Sequence, residues 1–362
     1  MRVLLDVLLF AAGALLVAIV LDAAIRTFVL PRGSVVRLTR IVFLGVRGVF
    51  DVPLHFAKTY ERRDRIMALY APLSLLILPG VWLVLVLSGY TLMFRAVDVA
   101  GFGDAFRTSG SSLLTLGFLE PRDLPGVAIA FSEAFIGLGL LALLIAYLPT
   151  IYGTFSRREV LVAQMSVRAG IPPSAENLLV RAHLIDWLEN LNDMWAEYQL
   201  WFNEVEETHT SLSLLVFFRS PEPNRSWITT AGAVLDAAAL HLSTIDVARE
   251  PQAALLIRAG YLALRPVAEF FGIEFDPDPD PTDPISIVRD EFDALCDRMA
   301  AAGVPLVADR DHAWRDFSGW RVNYDKPLVA MAGLMMAPYA MWSSDRSISV
   351  RRAPLRRLHR PR

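Results

Sequence analysis

Residues 104–121 read DAFRTSGSSLLTLGFLEP. The first half predicts a short amphipathic helix; Thr115, Leu116, Gly117 and Phe118 follow, and then Leu119, Glu120 and Pro121. Long apolar stretches flank the segment, 69–94 before it and 127–152 after it. Apolar helix, short re-entrant segment, apolar helix is the order this pattern spells. Outside that order the same residues would read as an ordinary surface loop, so the fold turns on them.

The rest of the chain supports a membrane setting. Of 362 residues 54% are hydrophobic, and the mean hydropathy is +0.41, too apolar for an ordinary soluble protein of this size. Runs of about eighteen or more apolar residues are read as spanning helices, and about 26 residues at roughly 1.5 Å each cross a core of about 30 Å with tilt to spare. Residues 3–30, 69–94 and 127–152 meet that length, the last with a single acid, Glu133, near its start. The first stretch is longer than the h-region of a secretory signal and ends in no small-residue cleavage site, so it reads as an anchor.

Orientation follows from the arginines and lysines. Loop 31–68 carries Arg32, Arg37, Arg40, Arg47, Lys58, Arg62, Arg63 and Arg65, and Arg157 and Arg158 follow the third stretch. In segment 95–124, Arg95, Arg107 and Arg122 are offset by Asp98, Asp104, Glu120 and Asp123. The positive-inside rule then places loop 31–68 and everything after 153 in the cytoplasm, with the N-terminus and segment 95–124 outside a multi-pass plasma-membrane protein. Residues 35–58 hold Arg37, Arg40, Arg47, Asp51, His55 and Lys58 on one helical face, which favours an interfacial amphipathic helix over a fourth span.

Charge divides the chain. Residues 1–152 carry a net +3, residues 153–345 a net −13, and residues 346–362 seven arginines and no acid. Four parts are expected: an anchor with its interfacial helix at 1–68, a module at 69–160, a helical cytoplasmic domain at 161–345 and a basic tail at 346–362. In the third part, Gly170 with Pro172 and Pro173 stops the preceding helix, and Ser174 caps the next. Helices are expected over 175–206, 210–218, 226–246, 251–271, 285–302 and 311–340, with Trp187, Leu188, Leu191, Trp195, Tyr198 and Phe202 on one side of the first. Strand alternation is nearly absent, so the expected fold is all-α throughout. The loop EFDPDPDPTDP at 274–284 lacks the spacing and glycine of a calcium loop and reads as a solvated connector. The basic tail suits anionic headgroups, at about 1 kcal/mol per arginine near the surface, or an unpartnered end.

A potassium filter strips the ion of water with rings of backbone carbonyls from four loops. Such a loop needs unusual backbone angles, which glycine adopts freely, and the preceding helix points its partly negative C-terminus at the ion path. Residues 69–160 resemble the pore module of two-helix potassium channels. Thr115, Leu116, Gly117 and Phe118 match the Thr-Val-Gly-Tyr of that family's filter, Glu120 stands at its acid, and Asp104, Ala105 and Phe106 resemble the start of its pore helix. Gly137 and Gly139 resemble its glycine-containing gating hinge. The resemblance implies K⁺ as permeant ion, no cofactor, and a homotetramer among membrane lipids. The departure is Leu119, where the family has its second glycine; a left-handed leucine costs roughly 1–2 kcal/mol. Two readings follow, cation conduction through a non-standard filter, or a non-conducting scaffold or sensor that keeps the architecture.

Other chemistry is thin. His55, His183, His209, His241, His312 and His359 have no paired metal-ligand spacing, Cys296 is alone, and no nucleophile elbow or phosphate-binding glycine loop occurs. No enzyme, no bound metal and no nucleic-acid partner are expected; an unidentified ligand of the cytoplasmic domain stays open. Asp309, Asp311 and His312 read as a helix start as readily as a polar site. Glu133 either reaches the outer water or braces the filter from behind. Asp22 and Arg26 form an i,i+4 pair at one end of the first span.

Overall fold

A computed structural model of the chain describes residues 2–28, 37–97, 101–248 and 250–347. Arg32, Asp98, the end of the first apolar stretch and the basic tail beyond 347 lie outside the described residues. In chain order the helices are α1 (Arg2–Phe28), α2 (Arg37–Phe56), α3 (Tyr60–Ala68), α4 (Tyr70–Ala96), α5 (Phe102–Leu113) and α6 (Leu124–Ala169). They continue with α7 (Ala175–Leu184), α8 (Asn192–Ser211), α9 (Trp227–Ser243), α10 (Pro251–Phe270), α11 (Arg289–Ala301), α12 (Arg310–Arg321) and α13 (Asp325–Leu334). The described residues contain no strand beyond one isolated bridge, Ile245 to Leu306, so the fold is all-helical. Three helical stretches are long and apolar enough to cross a membrane: Val3–Thr27, Tyr60–Ala96 and Leu124–Ala169.

The chain divides into two compact units, residues 1–57 with 66–153, and residues 58–65 with 154–362. In the first, α1 and α4 cross where both lack a side chain. A Cβ on Gly13 would run into the Gly89 carbonyl oxygen, and one on Gly89 would lie 2.8 Å from a Val17 methyl. Small residues at the crossing let backbones approach, the device by which helices pack where lipid removes any hydrophobic drive. Helix α2 lies against α4, with the Tyr70 hydroxyl donating to the Phe43 carbonyl at 3.4 Å and Arg47 over the Tyr70 ring. Asp22 and Arg26 pair at 2.8 Å as expected.

Helix α6 stops as its sequence predicts: Gly170 takes φ +86, and Ser174 accepts from the Asn177 N–H at 3.1 Å to start α7. The single helix expected over 175–206 is broken. Asp186 sits at φ +56, its N–H donates to the His183 carbonyl, and Trp187 N–H reaches back to Ala182 at 2.8 Å. This is a Schellman ending without glycine, where a short polar side chain tolerates the left-handed angle. The stretch expected at 311–340 is likewise two helices, and 210–218 holds the end of α8 at Ser211 and a 3-10 turn at Ser213–Phe217.

Buried arginines organise the second unit. Arg158, on α6, donates to the carbonyls of Leu215 (2.8 Å) and Phe218 (2.7 Å), pairs with Glu159, and meets His209 Nε2 at 3.1 Å. Because arginine only donates, His209 accepts through Nε2, and its protonated Nδ1 donates to Thr208 at 3.0 Å. Arg219 binds Asp64 and the Met336 carbonyl, the latter at 3.2 Å. Arg321 is fully buried, joins Asp236 on α9 to Asp325 on α13, and donates to the Trp342 carbonyl at 2.6 Å. Around them Trp195, Trp201, Trp227 and Trp342 are buried, with Trp187, Trp314 and Trp320 packed against the same core. Asp309 caps α12 by accepting from the N–H groups of Asp311 and His312, the helix-start role among the alternatives.

Arg321→Leu leaves two buried carboxylates without their cation, a loss of about 3–5 kcal/mol. Thermal melts in detergent should show a large drop in the second unit's transition, while the exposed pair variant Arg310→Leu changes it little. Acid should act through two histidines. Burial holds His241 at about 4, and burial with Arg158 beside it holds His209 well below the ordinary range. A depressed histidine is neutral when folded and takes up a proton on unfolding, so stability is full above the ordinary value near 6.5 and falls as pH drops. Each pH unit below that, down to the folded value, costs about 1.4 kcal/mol per histidine. His241→Phe should flatten the dependence of denaturation midpoint on pH between pH 6.5 and 4.

Candidate functional site

Helix α5 starts at Gly101, whose φ is +94, and carries Asp104 in its first turn, where negative charge suits the helix dipole. Ala105 is buried and Phe106 exposed. The polar residues are on the inner face: Thr108, Ser109 and Ser111 are all buried. The Ser109 hydroxyl donates toward Glu133 Oε1 on α6 at 2.5 Å, with the Leu87 carbonyl oxygen of α4 3.1 Å away. Glu133 is wholly inaccessible in the chain and is held by Ser109 rather than open to water. Its Oε2 is buried without a hydrogen-bond partner among the described residues. Tyr90 and Ser132 add a second link between α4 and α6, at 2.9 Å.

The end of α5 sets the loop geometry. Thr115 N–H donates to Ser112 at 3.1 Å and Leu116 N–H to Ser111 at 2.8 Å, a Schellman ending with Thr115 in the left-handed position at φ +52. Gly117 follows at φ +69, whereas Leu116, Phe118 and Leu119 keep negative φ. The sign of φ therefore alternates from Thr115 to Phe118. The carbonyls of Thr115, Leu116, Gly117 and Phe118 accept no hydrogen bond from any described residue. Leu116 and Phe118 are 60% and 56% exposed in the single chain, and Glu120 is exposed.

Leu119 does not carry the left-handed strain expected of a residue replacing glycine. Its N–H donates to Ser111 Oγ at 3.0 Å, and the Ser111 hydroxyl lies 3.1 Å from its carbonyl oxygen. The strained non-glycine position is Thr115 instead. Ser111 was not distinguishable from its neighbours by motif; only its place eight residues before Leu119, on the buried side of α5, makes it the anchor. Asp123 then opens α6, its carboxylate accepting from Gly126 N–H at 3.2 Å.

The two glycines of α6 differ. A Cβ on Gly137 would lie 2.5 Å from the Leu113 carbonyl oxygen, so this position seats the C-terminal end of α5. Gly139 faces open space. The helix continues unbroken through both. Among the described residues no three His, Cys, Asp or Glu side chains gather as metal ligands.

No family model, no curated protein and no solved structure matches this chain.

Gly137→Ala forces a methyl into the last turn of α5 and should cost about 1–3 kcal/mol of overpacking. Gly139→Ala fills empty space and should be neutral or slightly favourable through helix propensity. Melting of the purified protein, followed by size-exclusion fluorescence, should separate the two variants.

Proposed function

We propose that the chain is the subunit of a cation channel, most simply for K⁺, in which four copies set residues 115–118 around a common axis. The observation that carries the reading is the run of four consecutive carbonyls without internal partners, from Thr115 to Phe118, just past the C-terminal end of a short helix between two membrane-length helices. Carbonyl rings of this kind replace a cation's hydration shell, and the negative end of the preceding helix dipole favours positive charge. Non-helical backbone at membrane depth is tolerated only inside protein or along a water-filled path. One such segment per chain therefore calls for assembly around it, and closed cyclic symmetry supplies that.

In this reading segment 101–123 enters from the outer face, the N-terminus is outside, and residues 154–347 form a cytoplasmic domain of the plasma-membrane protein. Helix α6 runs 46 residues without a break, about 69 Å at the helical rise, more than twice a hydrocarbon core. Its polar half, from Arg157 onward, continues into water and would carry movements of the domain toward the pore; Gly139, free of neighbours, is the place where the helix bends at least cost.

Purified protein in liposomes should release K⁺ down its gradient. Gly117→Ala places a side chain at φ +69, a cost of roughly 1–2 kcal/mol in each copy, and should abolish the flux without changing oligomer size. A correctly assembled wild-type protein that passes no cation under any gradient is the non-conducting scaffold or sensor.

A further inference from the structure

One residue holds the loop at three points. Ser111 is buried on α5; its carbonyl oxygen accepts from Leu116 N–H at 2.8 Å and Gly117 N–H at 3.4 Å. Its hydroxyl accepts from Leu119 N–H at 3.0 Å and points back to the Leu119 carbonyl at 3.1 Å. The consequence is a break in the carbonyl row. Carbonyls 113–118 accept no hydrogen bond from a described residue, and the next one, on Leu119, is turned onto a side chain of the preceding helix.

We propose that Ser111 is the positioning residue that lets Leu119 stand where a cation filter otherwise needs a second glycine. A glycine at the outer end serves by reaching positive φ; here the chain never asks Leu119 for that angle, because Ser111 ends the carbonyl row one residue earlier and anchors its outer edge. Leu119 is half-buried, whereas its neighbours Leu116 and Phe118 are exposed. The inference rests on the channel reading above and names the residue that sets its selectivity. Glu133 acts on the same helix through Ser109, two residues earlier, so α5 is fixed on its inner face while the loop hangs from Ser111.

The test uses full-length protein in nanodiscs and liposomes, with wild type, Ser111→Ala, Ser111→Thr and Leu119→Gly. Hydrogen exchange of the peptide covering Leu119 reports the anchor; the ratio of K⁺ to Na⁺ permeability reports the filter. Ser111→Ala should speed exchange at Leu119 at least tenfold and reduce the permeability ratio about tenfold, while Ser111→Thr, which keeps the hydroxyl, restores both. Leu119→Gly should conduct and select like wild type, since its glycine has no strain to relieve. Wild-type flux with Ser111→Ala indistinguishable in both readouts overturns the role of Ser111 alone. Current that appears only in Leu119→Gly also overturns it. Exchange sensitive to Ser111→Ala in a wild type that passes no cation overturns the channel reading and this role with it.

Discussion

Backbone that leaves helical geometry inside a membrane must find partners for its N–H and C=O groups, or face water or an ion. Residues 114–119, where the chain leaves α5, satisfy these groups unequally, and the inequality defines the candidate site. The N–H groups of Thr115, Leu116, Gly117 and Leu119 are bonded to Ser111 or Ser112, whereas the carbonyls from Thr115 to Phe118 are bonded to nothing in the chain. Of the four residues whose carbonyls are unpaired, Thr115, Leu116 and Gly117 have their N–H groups bonded back to α5, and the Phe118 N–H has no acceptor among the described residues. The loop is thus tied to its helix mainly through donors, with its oxygens uncommitted. The supports behind it, Ser109 on Glu133 and Leu113 on Gly137, tie α5 to α6 over about one turn of that helix.

The second unit is stabilised differently, by cations taken out of water and fully used. Arg158, Arg219 and Arg321 are each held by a carboxylate and by backbone carbonyls. Replacing such a hub with well-packed apolar side chains is often neutral, whereas removing one partner is costly; the hubs therefore specify one arrangement more than they add stability. Arg158 and Arg219 hold one short segment at its C-terminal part: Arg158 grips the carbonyls of Leu215 and Phe218, and Arg219 is the next residue along. That segment is bonded to Arg158 of α6 on one side and to Asp64 and Tyr60 of α3 on the other.

Much of this was legible in the residues. The apolar stretches became the membrane-length helices because length and composition alone decide them, and the stops at Gly170 and Ser174 are local chemistry. The break at Asp186 was not legible, since a Schellman ending normally advertises itself with glycine and here an aspartate takes the left-handed angle. At the candidate site, Gly117 was legible for the converse reason: only glycine adopts its φ freely. Ser111 and Ser109 were not, because a serine on a short helix has no signature until the elements that receive its hydrogen bonds are in place. At Leu119 the sequence leaves open left-handed strain or another geometry, and the backbone takes the second, with Ser111 supplying partners for both of its backbone groups.

These two kinds of fixing bear on how a signal would travel within the second unit. The segment Ser213–Phe217 has no long helix of its own to hold it in place; its position is set by Arg158 and Arg219. A change that moved it would be felt at once by the stretch of α6 beyond Thr154 and by residues 60–64, the helical turns that lead in sequence to two of the three membrane-length helices. Coupling between distant sites needs an element both sites bias, and a short strap held by charged, desolvated side chains responds as a unit because its bonds are costly to break singly. His209 sits in this same network, accepting from Arg158 and donating to Thr208. Protonating it would set two cations face to face in a buried place. The strap is therefore built around the neutral imidazole, which leaves Arg158 as the single cation at this point.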